Sequence, residues 1–123
     1  MEYILDFGVG VDIEEIERFE KYSKDSAFVK KIYTKNEIEY CFGTKNYSKH
    51  LAVRFCAKEA IYKAFCSVGV ANLRFQDVEV VNDNNRVPQI VFLTDKTMGY
   101  SAKLSLSHSK NQAVASVIVF KLS

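Results

Sequence analysis

Arg54-Phe55-Cys56-Ala57-Lys58-Glu59-Ala60-Ile61-Tyr62-Lys63-Ala64-Phe65 reads as a helix whose apolar side is interrupted by a carboxylate. Phe55 and Cys56 lie one turn before Glu59, and Tyr62 and Lys63 one turn after it, so these four are its surface neighbours. A carboxylate among apolar groups is costly unless a cation meets it. Lys63 is a local candidate, four residues on in the favoured Glu-before-Lys order, but an exposed pair of that kind contributes only about 0.3–0.5 kcal/mol. The other candidate is a cation brought from outside. The helix opens at Ser48 or Lys49 and ends near Phe65, where Val68-Gly69-Val70 breaks it.

Upstream, Leu5, Phe7, Val9, Val11 and Ile13 alternate with Asp6, Gly8, Gly10 and Asp12. Period two predicts a strand with its apolar row buried. Gly8 and Gly10 leave the opposite row bare, which suits close approach of another backbone or a ligand, and Asp12 ends that row. Asp12 also suits the cap of a following helix, with Glu15 three residues on in a capping-box arrangement and Ile16 and Phe19 as the apolar stripe. Gly8-Val9-Gly10-Val11-Asp12 is not a dinucleotide fingerprint, because the third glycine is missing and the acid follows at once. Residues 26–42 predict one or two short helices, the second capped by Thr34 with Glu37 at its third position, and residues 43–47 a loop.

Downstream the pattern changes to hairpins. Strands are predicted over 75–81 and 89–93 around the turn Asn82-Asp83-Asn84-Asn85, and over 103–109 and 113–122 around Lys110-Asn111-Gln112. Pro88, the only proline, falls at the start of a strand, where a missing N–H is tolerated. The expectation is one α+β domain over residues 1–123, a long central helix packed on an antiparallel sheet.

Composition bounds the function. A net charge of +2 is too small to argue for nucleic acid, and no apolar run approaches the roughly 20 residues of a membrane span. Lysines 21, 24, 30, 31, 35, 45 and 49 crowd the first half, against the acidic cluster Glu14, Glu15, Glu17 and Glu20. These are either solvated helix surfaces or a basic face for an acidic protein or phosphate-rich ligand. Cys41, Cys56 and Cys66 are odd in number and lack metal-ligand spacing, which fits a reducing compartment. Acidic Glu2 and Asp6 stand where a signal peptide carries positive charge, so the expected location is cytoplasmic.

Asp12 and Glu59, from separate elements, suit a hard-oxygen site of the kind that holds Mg²⁺ with one or two carboxylates and substrate phosphates. Arg54, Lys58 and Lys63 supply positive charge on neighbouring turns. His108 shares a row with Leu104 and Leu106, as a core or edge histidine does. Without a Gly-x-Ser-x-Gly elbow or an acid placed to orient it, a serine-hydrolase triad is poorly supported.

In order and spacing these pieces match one family. Residues 8–19, Gly8-Val9-Gly10-Val11-Asp12 through Phe19, resemble the N-terminal signature of the holo-acyl-carrier-protein synthases, the small 4′-phosphopantetheinyl transferases. Residues 54–64, built around Lys58-Glu59-Ala60 and Lys63, resemble their second signature, and 75–79 and 104–109 are similar to later segments. The resemblance implies Mg²⁺-dependent transfer of the phosphopantetheine arm of coenzyme A to a serine of apo-acyl carrier protein. It implies Asp12 and Glu59 as metal ligands, Lys63 on the leaving phosphate, Arg54 and Lys58 on phosphates, and His108 and Ser109 near the nucleotide end. It further implies an acidic carrier meeting Arg18, Phe19 and Lys21, and a homotrimer with sites between subunits. Cys66-Ser67-Val68 departs from a glycine-rich pattern, and Asn84-Asn85 replaces Asn-Gly, where Asn85 can still adopt the left-handed conformation of such a turn. The carrier of fatty-acid or polyketide synthesis is left open, and the alternative class is a coenzyme A or carrier-binding module without turnover.

Overall fold

The computed structural model describes residues 2–123. Strand β1 (Ile4–Glu15) leads through a 3-10 turn (Ile16–Phe19) to helices α1 (Ala27–Ile32), α2 (Lys35–Phe42) and α3 (Tyr47–Ser67). A 3-10 turn (Phe75–Asp77) then precedes β2 (Val78–Asn82), β3 (Pro88–Phe92), β4 (Tyr100–His108) and β5 (Gln112–Leu122). The architecture is α+β, as expected, but the strands divide into two sheets. One has the order β1-β5-β4, and the other is the β2–β3 hairpin; all pairings are antiparallel. No helix among the described residues is long and apolar enough to cross a membrane.

β1 and β5 pair along almost their whole length, from Ile4 opposite Leu122 to Glu15 opposite Gln112. α3 lies across this pair, and the contact surface is made of small residues. Ala52, Ala57, Ala60 and Ala64 of the helix and Ala113 and Ala115 of β5 are wholly buried. A Cβ added to Gly10 would lie 1.8 Å from the carbonyl oxygen of Ala60, and one added to Gly8 would lie 2.3 Å from that of Ala64. The bare row therefore admits another backbone, that of α3. The opposite row is the correction: Leu5, Phe7, Val9, Val11 and Ile13 are each 56–60% exposed rather than buried. Alternation separates two faces, and here the helix can approach only the one without side chains.

Asp12 caps no helix. Pairing with β5 carries β1 on to Glu15, and the 3-10 turn that follows has Glu15 as its cap residue with no side-chain cap bond. The Thr34–Glu37 capping box does form: Thr34 Oγ1 accepts from Glu37 N at 3.2 Å, and Thr34 N donates to Glu37 Oε1 at 2.9 Å. α3 runs one residue earlier and two later than expected, ending where Val70 N returns to Phe65 O across Gly69 at φ 90°. The sequence 75–77 is a 3-10 turn rather than strand, and β4 begins at Tyr100. In the 82–87 turn the left-handed residue is Arg86 (φ 61°), not Asn85. Asp83 imposes this, because its Oδ1 accepts from both Asn85 N and Val87 N.

Candidate functional site

The glycine row of β1 continues past Gly10 into Asp12 and Glu14, so both carboxylates arrive on the face that meets α3. Asp12 Oδ1 lies 3.1 Å from Lys63 Nζ, which also donates to Val11 O at 3.1 Å. Asp12 Oδ2 is buried and has no protein partner. The Glu59–Lys63 pair weighed from the sequence is not formed; the ammonium goes across to β1 instead. Glu59, next to the Ala60 that packs on Gly10, is half-buried. Burial, then the charge of Asp12, raises its pKa above that of an ordinary glutamate, against the pull of Lys63 and Arg18.

Glu14 was not singled out as a site residue. Its pKa is raised to about 7, first by burial and then by Asp12, despite Arg18 Nη1 at 2.6 Å from its Oε1. The signal was in the row Gly8, Gly10, Asp12, Glu14, hidden by assigning residues after Asp12 to a helix. Two raised carboxylates around an unpartnered aspartate oxygen describe negative charge in excess of the cations that meet it. Among the described residues, no three His, Cys, Asp or Glu side chains form a complete metal cage. The donors that are present are hard oxygens, suited to a cation that keeps several waters and takes other ligands from a substrate. Cys56, one turn before Glu59, donates its thiol to Asp12 O at 3.0 Å and approaches Ala113 O at 3.5 Å. Burial, then Asp12, pushes that thiol up to about 12, so it remains a protonated donor at neutral pH.

The three cations expected on phosphates separate. Lys63 is half-exposed beside Asp12. Lys58 is a correction: it is buried, with Nζ 2.8 Å from Glu37 Oε1, 2.8 Å from Phe75 O and 2.7 Å from Val78 O. Its three donors are all committed to holding α2, α3 and β2 together, and none is left for a phosphate. Arg54 lies five residues before Glu59, about 140° around the helix at 3.6 residues per turn. It faces α2, with its guanidinium 4.2 Å from the centre of the Tyr40 ring. There it borders a cavity of about 280 Å³ shared with His108.

His108 also borders a neighbouring cavity of about 490 Å³ with Ser109 and Lys110. Ser109 Oγ accepts from Asn111 N and Gln112 N in the β4–β5 turn. That turn sits against the end of β1, where Ile16 N donates to Asn111 O at 2.9 Å, so His108 and Ser109 share an end of the sheet with Asp12 and Glu14.

Of the expected carrier contacts, Phe19 is wholly buried against Tyr22, Phe28 and Phe55, and its ring cannot serve as an anchor. Arg18 is exposed, stacked over Phe19 and Phe55 at 5.2 and 5.0 Å while it binds Glu14. Lys21 is exposed, its ammonium 5.4 Å from the Tyr22 ring centre.

Residues 8–118 match the 4′-phosphopantetheinyl transferase superfamily. The chain is 36% identical to a holo-[acyl-carrier-protein] synthase of Geotalea daltonii, over 94% of this chain and 98% of that one. It superimposes with a TM-score of 0.75 on a holo-(acyl-carrier-protein) synthase of Bacillus anthracis solved in complex with CoA (3′,5′-ADP), at 34% identity over 93% of this chain and 96% of that one. A similar enzyme of Helicobacter pylori, solved in complex with coenzyme A, gives a TM-score of 0.72 at 26% identity, over 90% and 98%. A Gly-x-Gly row packed on a helix backbone, Asp12 and Lys63 joined across it, and a match over nearly the whole chain lead to one assignment: the chain belongs to the 4′-phosphopantetheinyl transferase superfamily.

Proposed function

We propose that this enzyme is a holo-acyl-carrier-protein synthase, which transfers 4′-phosphopantetheine from coenzyme A to a serine hydroxyl of apo-acyl carrier protein. The serine oxygen forms a bond to the phosphorus that bears the pantetheine arm. The bond from that phosphorus to the bridging diphosphate oxygen breaks, and adenosine 3′,5′-bisphosphate departs with the electron pair. The observation that carries the reading is the buried, unpartnered Asp12 Oδ2 beside Glu59, with the Lys63 ammonium reaching across from α3.

Mg²⁺ held by Asp12 and Glu59, with Glu14 beside them, would neutralise the diphosphate as charge moves to the leaving group. Lys63 is fixed by Asp12 Oδ1 and Val11 O and offers its positive charge, or a proton, to the departing phosphate. Glu14, beside the two carboxylates that would hold the metal, binds a proton more readily than an ordinary carboxylate and is the proton acceptor this face offers to the carrier's serine. His108 and Ser109 remain candidates for the nucleotide end, as does Arg54.

The assembly we propose is a homotrimer. The exposed row Leu5 to Ile13 is an apolar strand face that a second copy would cover. Arg54 turned about 140° from Glu59 fits a site completed between subunits, where one protomer's carboxylates face another's basic cavity. The exposed Arg18, Lys21, Lys24, Lys30 and Lys31 are the surface for an acidic carrier. Three free cysteines and these substrates fit a cytoplasmic enzyme.

The test is to incubate the protein with coenzyme A, Mg²⁺ and apo-carrier and to weigh the carrier. A gain of one phosphopantetheine is expected from the wild type, and none from Glu59→Gln, which should keep its fold. Coenzyme A binding with no mass gain on any of several carriers would favour a binding module. Full activity of Glu59→Gln would sink the metal assignment.

A further inference from the structure

Arg54 is a buried arginine with no carboxylate partner. Among the described residues it makes no ion pair and no side-chain hydrogen bond, and its buried Nε is unpartnered. Its charge is met instead by the face of Tyr40, 4.2 Å from the ring centre. That ring is gripped from two further sides. His50, one turn before Arg54 on α3, meets it edge-on at 5.4 Å and 88°, and Asn82 Nδ2 reaches its hydroxyl at 3.5 Å. The adjoining cavity of about 280 Å³ is bordered by Lys49, His50, Arg54, Arg86 and His108 and by no acidic residue.

We infer that Tyr40, braced by His50, is the positioning residue that holds the Arg54 guanidinium as an unneutralised anion receptor in this cavity. An aspartate or glutamate in place of the ring would also hold the guanidinium still. It would cancel the charge, however, and occupy up to two N–H donors in a bidentate pair. The π-face attracts the cation without accepting those hydrogen bonds, so the donors stay available to an incoming anion. His50 suits the brace as a neutral ring, since burial and then the charges of Arg54 and Lys49 lower its basicity. The identity of the anion, a phosphate of coenzyme A, rests on the transferase reading.

The experiment measures the calorimetric Kd of adenosine 3′,5′-bisphosphate for wild type, Tyr40→Leu, Tyr40→Phe, Arg54→Gln and the double variant Tyr40→Leu/Arg54→Gln. Loss of a cation–π contact whose cation is buried and whose ring is exposed predicts binding about three- to ten-fold weaker in Tyr40→Leu, with Tyr40→Phe within about twofold of wild type. If Tyr40 acts through Arg54, Tyr40→Leu should add less than about twofold once Arg54 is glutamine. Tyr40 is exposed, and Tyr40→Gln provides a second ring-less variant should the leucine disturb folding. Equal Kd for wild type and both ring-less variants overturns the inference alone, as does an equal loss with or without Arg54. Failure of the wild type to bind the nucleotide overturns the transferase reading and this inference together.

Discussion

Gly10→Ala should damage the fold and the proposed metal site at once. A methyl group there would lie 1.8 Å from the carbonyl oxygen of Ala60 and 2.8 Å from its carbonyl carbon. The obstacle is the backbone of α3, so no rotamer change can relieve it, and strand and helix must separate by roughly 1.5 Å or more to restore an ordinary contact. Overpacking by one methyl usually costs about 1–3 kcal/mol; a rigid obstacle places this case near 3, a fall in Tm of about 10 °C for a chain of this size. Gly10 is two residues from Asp12, and Ala60 adjoins Glu59, so the same separation pulls apart the two carboxylates proposed to share Mg²⁺. The half-saturating Mg²⁺ concentration for phosphopantetheine transfer should rise along with the loss in Tm. Gly8→Ala is the comparison: it meets Ala64 O at 2.3 Å and the movable Ser67 Oγ at 2.4 Å, farther from Asp12. It should lose stability with a smaller effect on Mg²⁺. Melting of Gly10→Ala within about 2 °C of wild type, with an unchanged Mg²⁺ requirement, would refute the close-packing argument.

Lys58→Met should cost about 3–5 kcal/mol in urea denaturation, because Glu37 would be left as a buried, unpaired charge; a stable variant that had lost coenzyme A binding would return Lys58 to the ligand. Glu14→Gln tests the acidic cluster through pH. A carboxyl raised from 4.5 to about 7 stabilises the fold fully below about 4.5 and loses that contribution as pH rises through about 7. In chelator, Glu14→Gln should therefore melt above wild type at pH 8, with the gap closing by pH 4, and a gap constant across that range would contradict the raised value. Val9→Lys with Val11→Lys places two charges on the exposed apolar row, and light scattering should report a monomer in place of a trimer. An unchanged mass would show that this row is not the interface.

Much of the fold was legible because its signals are local. Alternation marked β1, Thr34 and Glu37 marked the start of α2, and turn residues marked both hairpins. The candidate site was legible as a set of residue types, Asp12, Glu59 and Lys63, and less so as an arrangement. Glu14 was missed because a local preference for a helix cap at Asp12 outweighed the continuing strand, a preference that pairing with β5 overrides. Phe19, read both as part of an apolar stripe and as a carrier contact, and Lys58, read as a phosphate contact, are both core residues, because aromatic and lysine side chains serve in either setting.

By itself the sequence determined the period-two strand, the long helix with its awkward carboxylate, the hairpins and the family. Only the tertiary structure decided which side of each element faces what. Alternation defines two faces of β1 without saying which is inside; the choice came from the Ala60 and Ala64 backbone, which fits against glycine and against nothing larger. Lys58 and Lys63 are the same residue type five positions apart, and about 140° of helix rotation sends one to Glu37 in the core and the other to Asp12 at the site. Glu59 needed a cation, as its neighbours indicated. The fold took Lys63 away to Asp12 and left Glu59 facing a second carboxylate, which is why the cation proposed here is one from outside the chain.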